Sequence, residues 1–129
     1  MKTPFFLTLA EIIEIHKNQI DLYGGDQGTR DIRLLESAAS QPEASFAGEW
    51  LHADIIEMAS AYAFHICMNH PFIDGNKRAA LASALIFLEL NGISILDPKR
   101  RLLDAMLKMA AGHFSKKEFS DLIRGLPKE

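Results

Sequence analysis

The sequence predicts an all-α fold, a compact bundle of about six helices in one domain that spans residues 1–129. Three observations predict it. Apolar residues recur at helical spacing along most of the chain. Ser, Thr or Asp stands where most of these segments begin, and Gly or Pro stands where they end. With 48% hydrophobic and 24% charged residues in 129, the chain has the composition and length of a single globular domain.

The first two predicted helices have clear boundaries. Thr8 opens the first helix with a capping box, and Gly24 ends it. Asp31 is a suitable N-cap for a shorter second helix, which ends before Pro42. Residues 41–52 then lack a clean period and contain Pro, Ser and Gly, so they predict a loop with room for short extended pieces.

The third and fourth helices are the most apolar and should form the core. Residues 54–69 are apolar on most faces, which is the pattern of a central helix surrounded by others. After a break at residues 70–71, a second apolar helix rich in Ala and Leu runs over about 76–91, and Gly92 closes it. Two such helices in succession predict a helical bundle.

The C-terminal part of the chain predicts two more helices. Asp97 as N-cap and Pro98 as the first helical residue predict a fifth helix that continues to about Ala111. Ser115 starts a sixth helix with a second capping box, and this helix ends at Gly125.

Charge and cysteine content exclude several classes of function. The 14 Lys and Arg against 17 Asp and Glu give a formal net charge of −3, so there is no global positive field for nucleic acid, and any phosphate binding must be local. The single cysteine, Cys67, excludes a disulfide framework within one chain and is typical of a reducing compartment. No signal peptide is visible, and the longest apolar segment is shorter than the about 20 residues that span a bilayer. We therefore expect a cytoplasmic protein.

A dense set of functional side chains lies between the two most apolar helices, with the sequence His70-Pro71-Phe72-Ile73-Asp74-Gly75-Asn76-Lys77-Arg78. A helix that begins near Asn76 offers unpaired backbone N–H groups and the positive end of its macrodipole to an anion. Cations are disfavoured in the first turn of a helix, so Lys77 and Arg78 there indicate an anionic ligand that offsets their cost. Lysine is a movable point charge and arginine a bidentate fork, a pair that suits adjacent phosphate groups of a nucleotide.

The other residues of this segment fit phosphoryl chemistry that uses a metal. Asp74 supplies an oxygen ligand of the kind that holds Mg²⁺ together with substrate phosphates. Gly75 lets the backbone approach closely, and Asn76 can orient a phosphate oxygen or the Asp74 carboxylate. Histidine titrates near neutral pH, so His70 suits removal of a proton from an attacking hydroxyl. Phe72 would anchor the segment to the bundle.

These nine residues resemble the Fic/Doc signature His-x-Phe-x-(Asp/Glu/Asn)-(Gly/Ala)-Asn-(Gly/Lys)-Arg. The resemblance to the death-on-curing (Doc) toxin branch covers roughly residues 7–122 and includes Gly28-Thr29-Arg30-Asp31, Leu34-Leu35-Glu36-Ser37-Ala38 and residues 80–92. It implies the family's bundle of about six helices, with a flap around 41–52 that docks the target as an added strand. This segment includes Trp50 and His52, and the alternative is a packing loop with Trp50 tucked against the core.

The resemblance assigns a role to each residue of the motif. His70 matches the catalytic base, Asp74 the Mg²⁺ ligand, and Phe72 the buried aromatic anchor. The cradle for the nucleotide phosphates is matched by Gly75, Asn76, Lys77 and Arg78. Members that transfer AMP carry a second Gly at the eighth motif position, whereas this chain has Lys77, as Doc does. Lys77 fills space that a closely docked α- or β-phosphate would need, so we expect ATP to bind reversed and to present its γ-phosphate.

The resemblance therefore implies the toxin of a type II toxin–antitoxin system, a Mg²⁺- and ATP-dependent protein kinase that phosphorylates a threonine of elongation factor Tu and halts translation. Its partner would be a Phd-type antitoxin, whose C-terminal helix lies in an apolar groove of the toxin and whose N-terminal part binds operator DNA. Direct nucleic-acid or membrane binding by the toxin is not expected.

Two alternatives remain open. The same loop could transfer AMP onto a protein hydroxyl, or the chain could be a non-catalytic co-regulator that only binds the antitoxin. Arg33 departs from the family, which often has Gly before Leu-Leu-Glu, and this leaves target docking in that region open.

Overall fold

The computed structural model describes residues 3–129 and contains six α-helices, one 3₁₀ segment and one two-stranded hairpin. The helices are α1 Leu9–Tyr23, α2 Ile32–Ser40, α3 Ile55–Asn69, α4 Asn76–Leu90, α5 Arg101–Ala110 and α6 Lys116–Gly125. The 3₁₀ segment Gln41–Glu43 is followed by the antiparallel strands β1 Ser45–Phe46 and β2 Glu49–Trp50. The predicted all-α bundle of about six helices is confirmed.

Helix α3 lies at the centre of the bundle and packs against α4, α6, α2 and α5. Met58, Tyr62 and Ile66 of this helix are fully buried, and Cys67 is 5% exposed. The Tyr62 hydroxyl accepts a hydrogen bond from the backbone N–H of Leu7 at 2.9 Å, which ties the chain before α1 to the core. The prediction that residues 54–69 form the core helix is confirmed.

Side chains cap α1, α2, α3 and α6, and the caps of α1, α2 and α6 are the ones that the sequence predicts. Thr8 and Ser115 both form complete capping boxes at α1 and α6. Asp31 and Asp54 accept hydrogen bonds from backbone N–H groups in the first turns of α2 and α3. Each such bond satisfies a donor that the helix itself cannot, so these four helix starts are determined by local sequence.

The fifth helix begins later than the sequence predicts. Asp97 and Pro98 are not its N-cap and first residue; the helix begins at Arg101, and Arg100 before it has a left-handed φ of 54°. Asp97 nevertheless caps the helix, because its two carboxylate oxygens accept the N–H groups of Arg101 at 2.9 Å and Leu102 at 2.8 Å. The Asp-Pro pair therefore forms a turn outside the helix, from which the carboxylate reaches the first helical turn.

The loop predicted at residues 41–52 contains the hairpin. Its tip has positive φ at both Ala47 and Gly48, as a tight two-residue hairpin turn requires. Phe46 is 76% exposed, whereas Trp50 packs edge-on against Phe6 with ring centroids 5.3 Å apart. The hairpin thus rests on the core through Trp50 and presents Phe46 to solvent. Over residues 3–129, none of the helices combines the length and apolarity needed to cross a membrane.

Candidate active site

The candidate site lies where α3 ends and α4 begins. Residues 70–75, here called the motif loop, connect the two helices, and residues 24–31 between α1 and α2, here called the clamp loop, lie against them. The backbone N–H of Ile73 donates to the carbonyl of Gly28 at 3.1 Å. The motif loop is therefore held by a segment from the first quarter of the chain.

Glycine is required at two places where the loops approach each other or α1. Gly25 has a φ of 120°, and a Cβ there would lie 2.8 Å from the Oδ2 atom of Asp74. Gly75 has a φ of 74°, and a Cβ there would lie 2.7 Å from the Cδ1 atom of Ile20. Both positions combine a left-handed backbone with a lack of space, so a side chain at either would push the motif loop away.

His70 follows the last residue of α3 in the left-handed conformation, with φ 52° and ψ 53°. This conformation costs a residue with a side chain about 1–2 kcal/mol. The imidazole is exposed and forms no hydrogen bond to another residue of the described chain. A free ring nitrogen at the surface can take the proton of an incoming hydroxyl.

Asp74 holds an exposed carboxylate whose two oxygens both accept backbone hydrogen bonds. Oδ2 accepts the N–H of Asp26 at 3.2 Å, and Oδ1 accepts the N–H of Gly75 at 2.8 Å. These two bonds, assisted by the positive charge of Arg78, hold the pKa of the Asp74 carboxyl below its ordinary value. The group is therefore ionised at neutral pH, as a Mg²⁺ ligand must be.

Phe72 and Asn76 form the internal support of the motif loop. Phe72 is fully buried. The Asn76 side chain is 6% exposed; its oxygen accepts the N–H of Phe72 at 2.9 Å, and its amide donates to the carbonyl of Phe72 at 3.0 Å. Both polar groups of Asn76 are thus used inside the loop and do not reach Asp74. The backbone N–H of Asn76 is the part that remains available to an anion.

The first turn of α4 has no side-chain cap, in contrast to the other five helices. The free N–H groups of a helix start carry partial positive charge, and Lys77 and Arg78 add two full charges to the same turn. An anion bound there would satisfy the donors and offset the repulsion between the cations and the helix dipole. The uncapped start of α4 is therefore a candidate anion site.

Lys77 and Arg78 lie in different surroundings. Lys77 lines a small cavity of about 200 Å³ together with His70 and Asp74. The guanidinium of Arg78 lies 4.8 Å from the ring centroid of Tyr23 and donates to the carbonyl of Tyr23 at 3.4 Å. The structure therefore brings Lys77, His70 and Asp74 together, and directs Arg78 toward the end of α1.

Two residues that sequence reasoning missed support the motif loop. The His16 ring stacks on Phe72, and its Nε2 donates to the carbonyl of Asp74 at 2.7 Å. Arg30 donates from its guanidinium to the carbonyls of Asn69 and His70. The signals in the sequence are weak: a histidine in the apolar stripe of α1, and an arginine within the run Gly28-Thr29-Arg30-Asp31, to which the resemblance assigns no role.

Asp74 fits a metal that arrives with a nucleotide. Throughout residues 3–129, no three His, Cys, Asp or Glu side chains are grouped so that they could hold a metal ion by themselves. Mg²⁺ commonly takes one or two carboxylates together with substrate phosphates and waters. One ionised carboxylate beside an anion site meets that requirement.

Comparison with known proteins identifies the family of this chain. The model of the Fic/DOC family matches residues 6–88. Protein kinase doc of Escherichia phage P1 is 34% identical over 116 residues, which cover 90% of each chain. Toxin Doc of Mycolicibacterium smegmatis (strain ATCC 700084 / mc(2)155) is 36% identical over 73 residues, which cover 57% of this chain and 56% of that protein. The chain therefore belongs to the Fic/Doc family and to its Doc branch.

Proposed function

We propose that this chain is the toxin of a type II toxin–antitoxin system and that it is a Mg²⁺- and ATP-dependent protein kinase. In this proposal residues 1–129 form one domain, which acts in the cytoplasm. One observation carries the proposal: Lys77, at the uncapped start of α4, lines the same cavity as the ionised Asp74 and the exposed His70. An anion site, a metal ligand and a proton acceptor are the groups that phosphoryl transfer needs. The relative named as a protein kinase, which matches 90% of the chain, supports the same chemistry.

Each residue has a defined part in the proposed reaction. His70 accepts the proton of a protein hydroxyl as the hydroxyl oxygen attacks the γ-phosphorus, and the bond between that phosphorus and the β–γ bridging oxygen breaks to release ADP. Asp74 would hold Mg²⁺, which neutralises charge on the phosphates. Lys77 and the N–H groups at the start of α4 would bind the phosphate oxygens and stabilise the charge that develops on them.

Lys77 supports transfer of the γ-phosphate over transfer of AMP. Its side chain lines the cavity that also contains His70, and we expect it to fill space that a closely docked α- or β-phosphate would need. ATP that binds in the reverse direction presents its γ-phosphate to the hydroxyl instead. Because AMP transfer would use the same loop, the experiment must follow both phosphates.

The proposed acceptor is a threonine of elongation factor Tu, by resemblance to the Doc branch. The hairpin of residues 45–50 is the proposed docking element, because Phe46 at its exposed end is free to pack against a partner. Extended peptides commonly bind by adding a strand to the exposed edge of a β-sheet.

The test uses the purified chain with Mg²⁺, elongation factor Tu and ATP labelled at either the α- or the γ-phosphate. Label from the γ-phosphate alone is expected, and His70→Ala should reduce it about 100- to 10,000-fold, the range for loss of a general base. His113→Ala, which removes another exposed imidazole, is the matched control and should keep full activity. Label from the α-phosphate would show AMP transfer, and full activity of His70→Ala would remove His70 from the mechanism.

A separate surface suits the Phd-type antitoxin. A groove of about 540 Å³ between α1, α4 and α5 has Leu81, Leu85 and Leu103 as its apolar part, with Arg78 and Arg100 in its lining. An amphipathic helix that carries acidic residues beside its apolar face would complement both features. We place the C-terminal helix of the antitoxin there.

This placement is tested by the affinity of the antitoxin's C-terminal peptide for two leucine variants. Leu103→Glu should weaken binding at least about tenfold, because it puts a carboxylate in the apolar part of the groove. Leu96→Glu, at a leucine of similar exposure outside the groove, is the control and should bind normally. Equal binding by both variants would place the helix elsewhere.

A further inference from the structure

The orientation of the His70 ring is not set by any partner of the ring itself. General bases are commonly held by a second group that hydrogen-bonds the other ring nitrogen. The imidazole of His70 has no such partner among residues 3–129. Its direction must therefore come from the backbone that carries it, which is left-handed at this residue.

One residue, Arg30, donates to three consecutive carbonyls at this point of the backbone. Its guanidinium donates from Nη2 to the carbonyl of Asn69 at 3.2 Å and from Nε to the carbonyl of His70 at 2.8 Å. Its own backbone N–H donates to the carbonyl of Pro71 at 2.7 Å. The residues before, at and after the left-handed turn are thus all tied to Arg30.

The chemistry of arginine suits this position. The guanidinium is planar and holds its donors in a fixed fork, so two bonds from it also fix the angle between the carbonyls that accept them. Its positive charge lies at the carboxyl end of α3, where it is favoured by the helix dipole. A lysine ammonium would keep the charge but lose the fixed pair of donors.

Arg30 is itself held firmly. The next residue, Asp31, caps α2 through its side chain, so the backbone of Arg30 is fixed against the start of that helix. The side-chain amide of Asn69 donates to the carbonyl of Leu34 at 3.0 Å, which joins the end of α3 to α2 a second time. The contacts between α2 and the end of α3 therefore form a rigid frame for the turn at His70.

We propose that Arg30 is the positioning residue for His70: by holding the carbonyls of residues 69–71 it maintains the left-handed turn and directs the imidazole toward the reacting hydroxyl. Arg30 touches neither nucleotide nor target in this role. The catalytic part of the inference rests on the proposed function of His70, whereas the structural part does not.

The first measurement is amide hydrogen exchange, which needs no activity. The N–H groups of His70, Phe72 and Ile73 are all hydrogen-bonded in the structure and should be protected in the unmodified protein. Arg30→Ala should raise their exchange rates at least about tenfold relative to amides in the middle of α3. Arg33→Ala removes an exposed arginine whose side chain forms no hydrogen bond in the described chain, and it should leave the three amides unchanged.

The second measurement is steady-state transfer of the γ-phosphate by the same variants. Arg30→Ala should lower kcat about 10- to 100-fold, the range for loss of a supporting contact, with KM for ATP unchanged. Arg30→Lys should stay close to Arg30→Ala, since the charge without the fork does not fix the turn. Millimolar methylguanidinium should restore part of the kcat of Arg30→Ala and none of that of His70→Ala.

The outcomes separate the inference from the proposed function. If the unmodified protein transfers no phosphate, the proposed function fails, and the exchange rates alone decide whether Arg30 holds the turn. Unchanged exchange at all three amides in Arg30→Ala would overturn the inference. A raised KM for ATP with kcat unchanged would overturn it also, because Arg30 would then bind the nucleotide.

Discussion

The imidazole of His16 and the phenyl ring of Phe72 lie parallel, with centroids 3.8 Å apart and planes 3° apart. The same imidazole donates from Nε2 to the carbonyl of Asp74. A single side chain of α1 thus supports both the aromatic anchor of the motif loop and the backbone of the proposed metal ligand. This arrangement explains why a polar ring is 3% exposed in an otherwise apolar stripe.

Replacing His16 with alanine should lower the free energy of unfolding by about 2–4 kcal/mol. The change removes a buried ring, its stack on Phe72 and one hydrogen bond. Urea denaturation measures the loss. His113→Ala, which removes an exposed imidazole, should stay within about 0.5 kcal/mol of the unmodified protein. Equal stability of the two variants would show that His16 does not support the loop.

Replacing Asp74 with asparagine should raise the Mg²⁺ concentration needed for half-maximal phosphate transfer at least about tenfold, because the ligand loses its charge. The measurement is transfer rate against Mg²⁺ concentration at fixed ATP. Asp26→Asn is the matched control, since the carboxylate of Asp26 is exposed and only its backbone N–H contacts Asp74. A similar shift in both variants would indicate a general effect of charge.

The depressed pKa of Asp74 also fixes a pH dependence. A carboxyl whose folded pKa lies below its unfolded value of about 3.8 contributes stability above that value and loses it as pH falls through the folded pKa. Asp74 is therefore ionised throughout the neutral range. Lowering the pH from 7 to about 5 should therefore leave the Mg²⁺ concentration for half-maximal transfer unchanged, and transfer rate against Mg²⁺ concentration at the two pH values measures it.

Replacing Lys77 with glycine should lower transfer of the γ-phosphate about 100-fold and admit transfer of AMP, because it removes one charge from the cavity and opens space near the start of α4. ATP labelled at the α- or γ-phosphate distinguishes the two reactions. Glycine in a helix lowers stability by about 1 kcal/mol relative to alanine, so Lys77→Ala is the control for that effect. It should lose transfer of the γ-phosphate to a similar extent. An unchanged γ-transfer rate in both variants would contradict the role of Lys77.

Lys116 and two histidines predict an acid-sensitive stability. The Nζ atom of Lys116 lies 3.3 Å from Nε2 of both His52 and His65. Burial, and then the charge of Lys116, lower the pKa of His65 to about 4 from 6.5. Because the unfolded chain binds the proton more tightly, His65 supports stability fully above pH 6.5, and this support is lost between pH 6.5 and about 4.

Urea denaturation at pH 7 and pH 4.5 measures this loss. His65→Gln should lose less stability between the two pH values than the unmodified protein. Part of the dependence should remain, because burial lowers the pKa of His52 in the same direction. The same pH dependence in both proteins would contradict the assignment.

Much of the fold follows from local sequence. Three helices are capped by a side chain at most three residues away from the N–H that it accepts, namely by Thr8, Asp31 and Ser115. The apolar character of residues 54–69 indicates a buried helix whichever elements cover it. The start of α5 does not follow, because Asp97 reaches it across a turn in which Arg100 adopts a left-handed conformation. The sequence carries no glycine or asparagine there to indicate such a turn.

The candidate site also has a part that local sequence predicts and a part that depends on contacts between distant segments. The motif is contiguous, so its residues and their chemistry could be predicted together. The direction of Arg78 depends on its contact with Tyr23 at the end of α1. The supports from His16 and Arg30 depend on packing between segments far apart in the chain. Periodicity and capping carry no information about such contacts.

The clamp between the two loops has a consequence for synthesis of the chain. Arg30 bonds to Asn69 at the end of α3 and to His70 in the motif loop, which lie 39 and 40 positions away in the sequence. His16 bonds to Asp74, which lies 58 positions away. A nascent chain that has emerged only through α2 already holds both side chains but has nothing for them to bind. Contacts between distant segments form after local structure and depend on it. The site is therefore assembled only once α3 and α4 have left the ribosome and packed together, and no shorter nascent chain contains it.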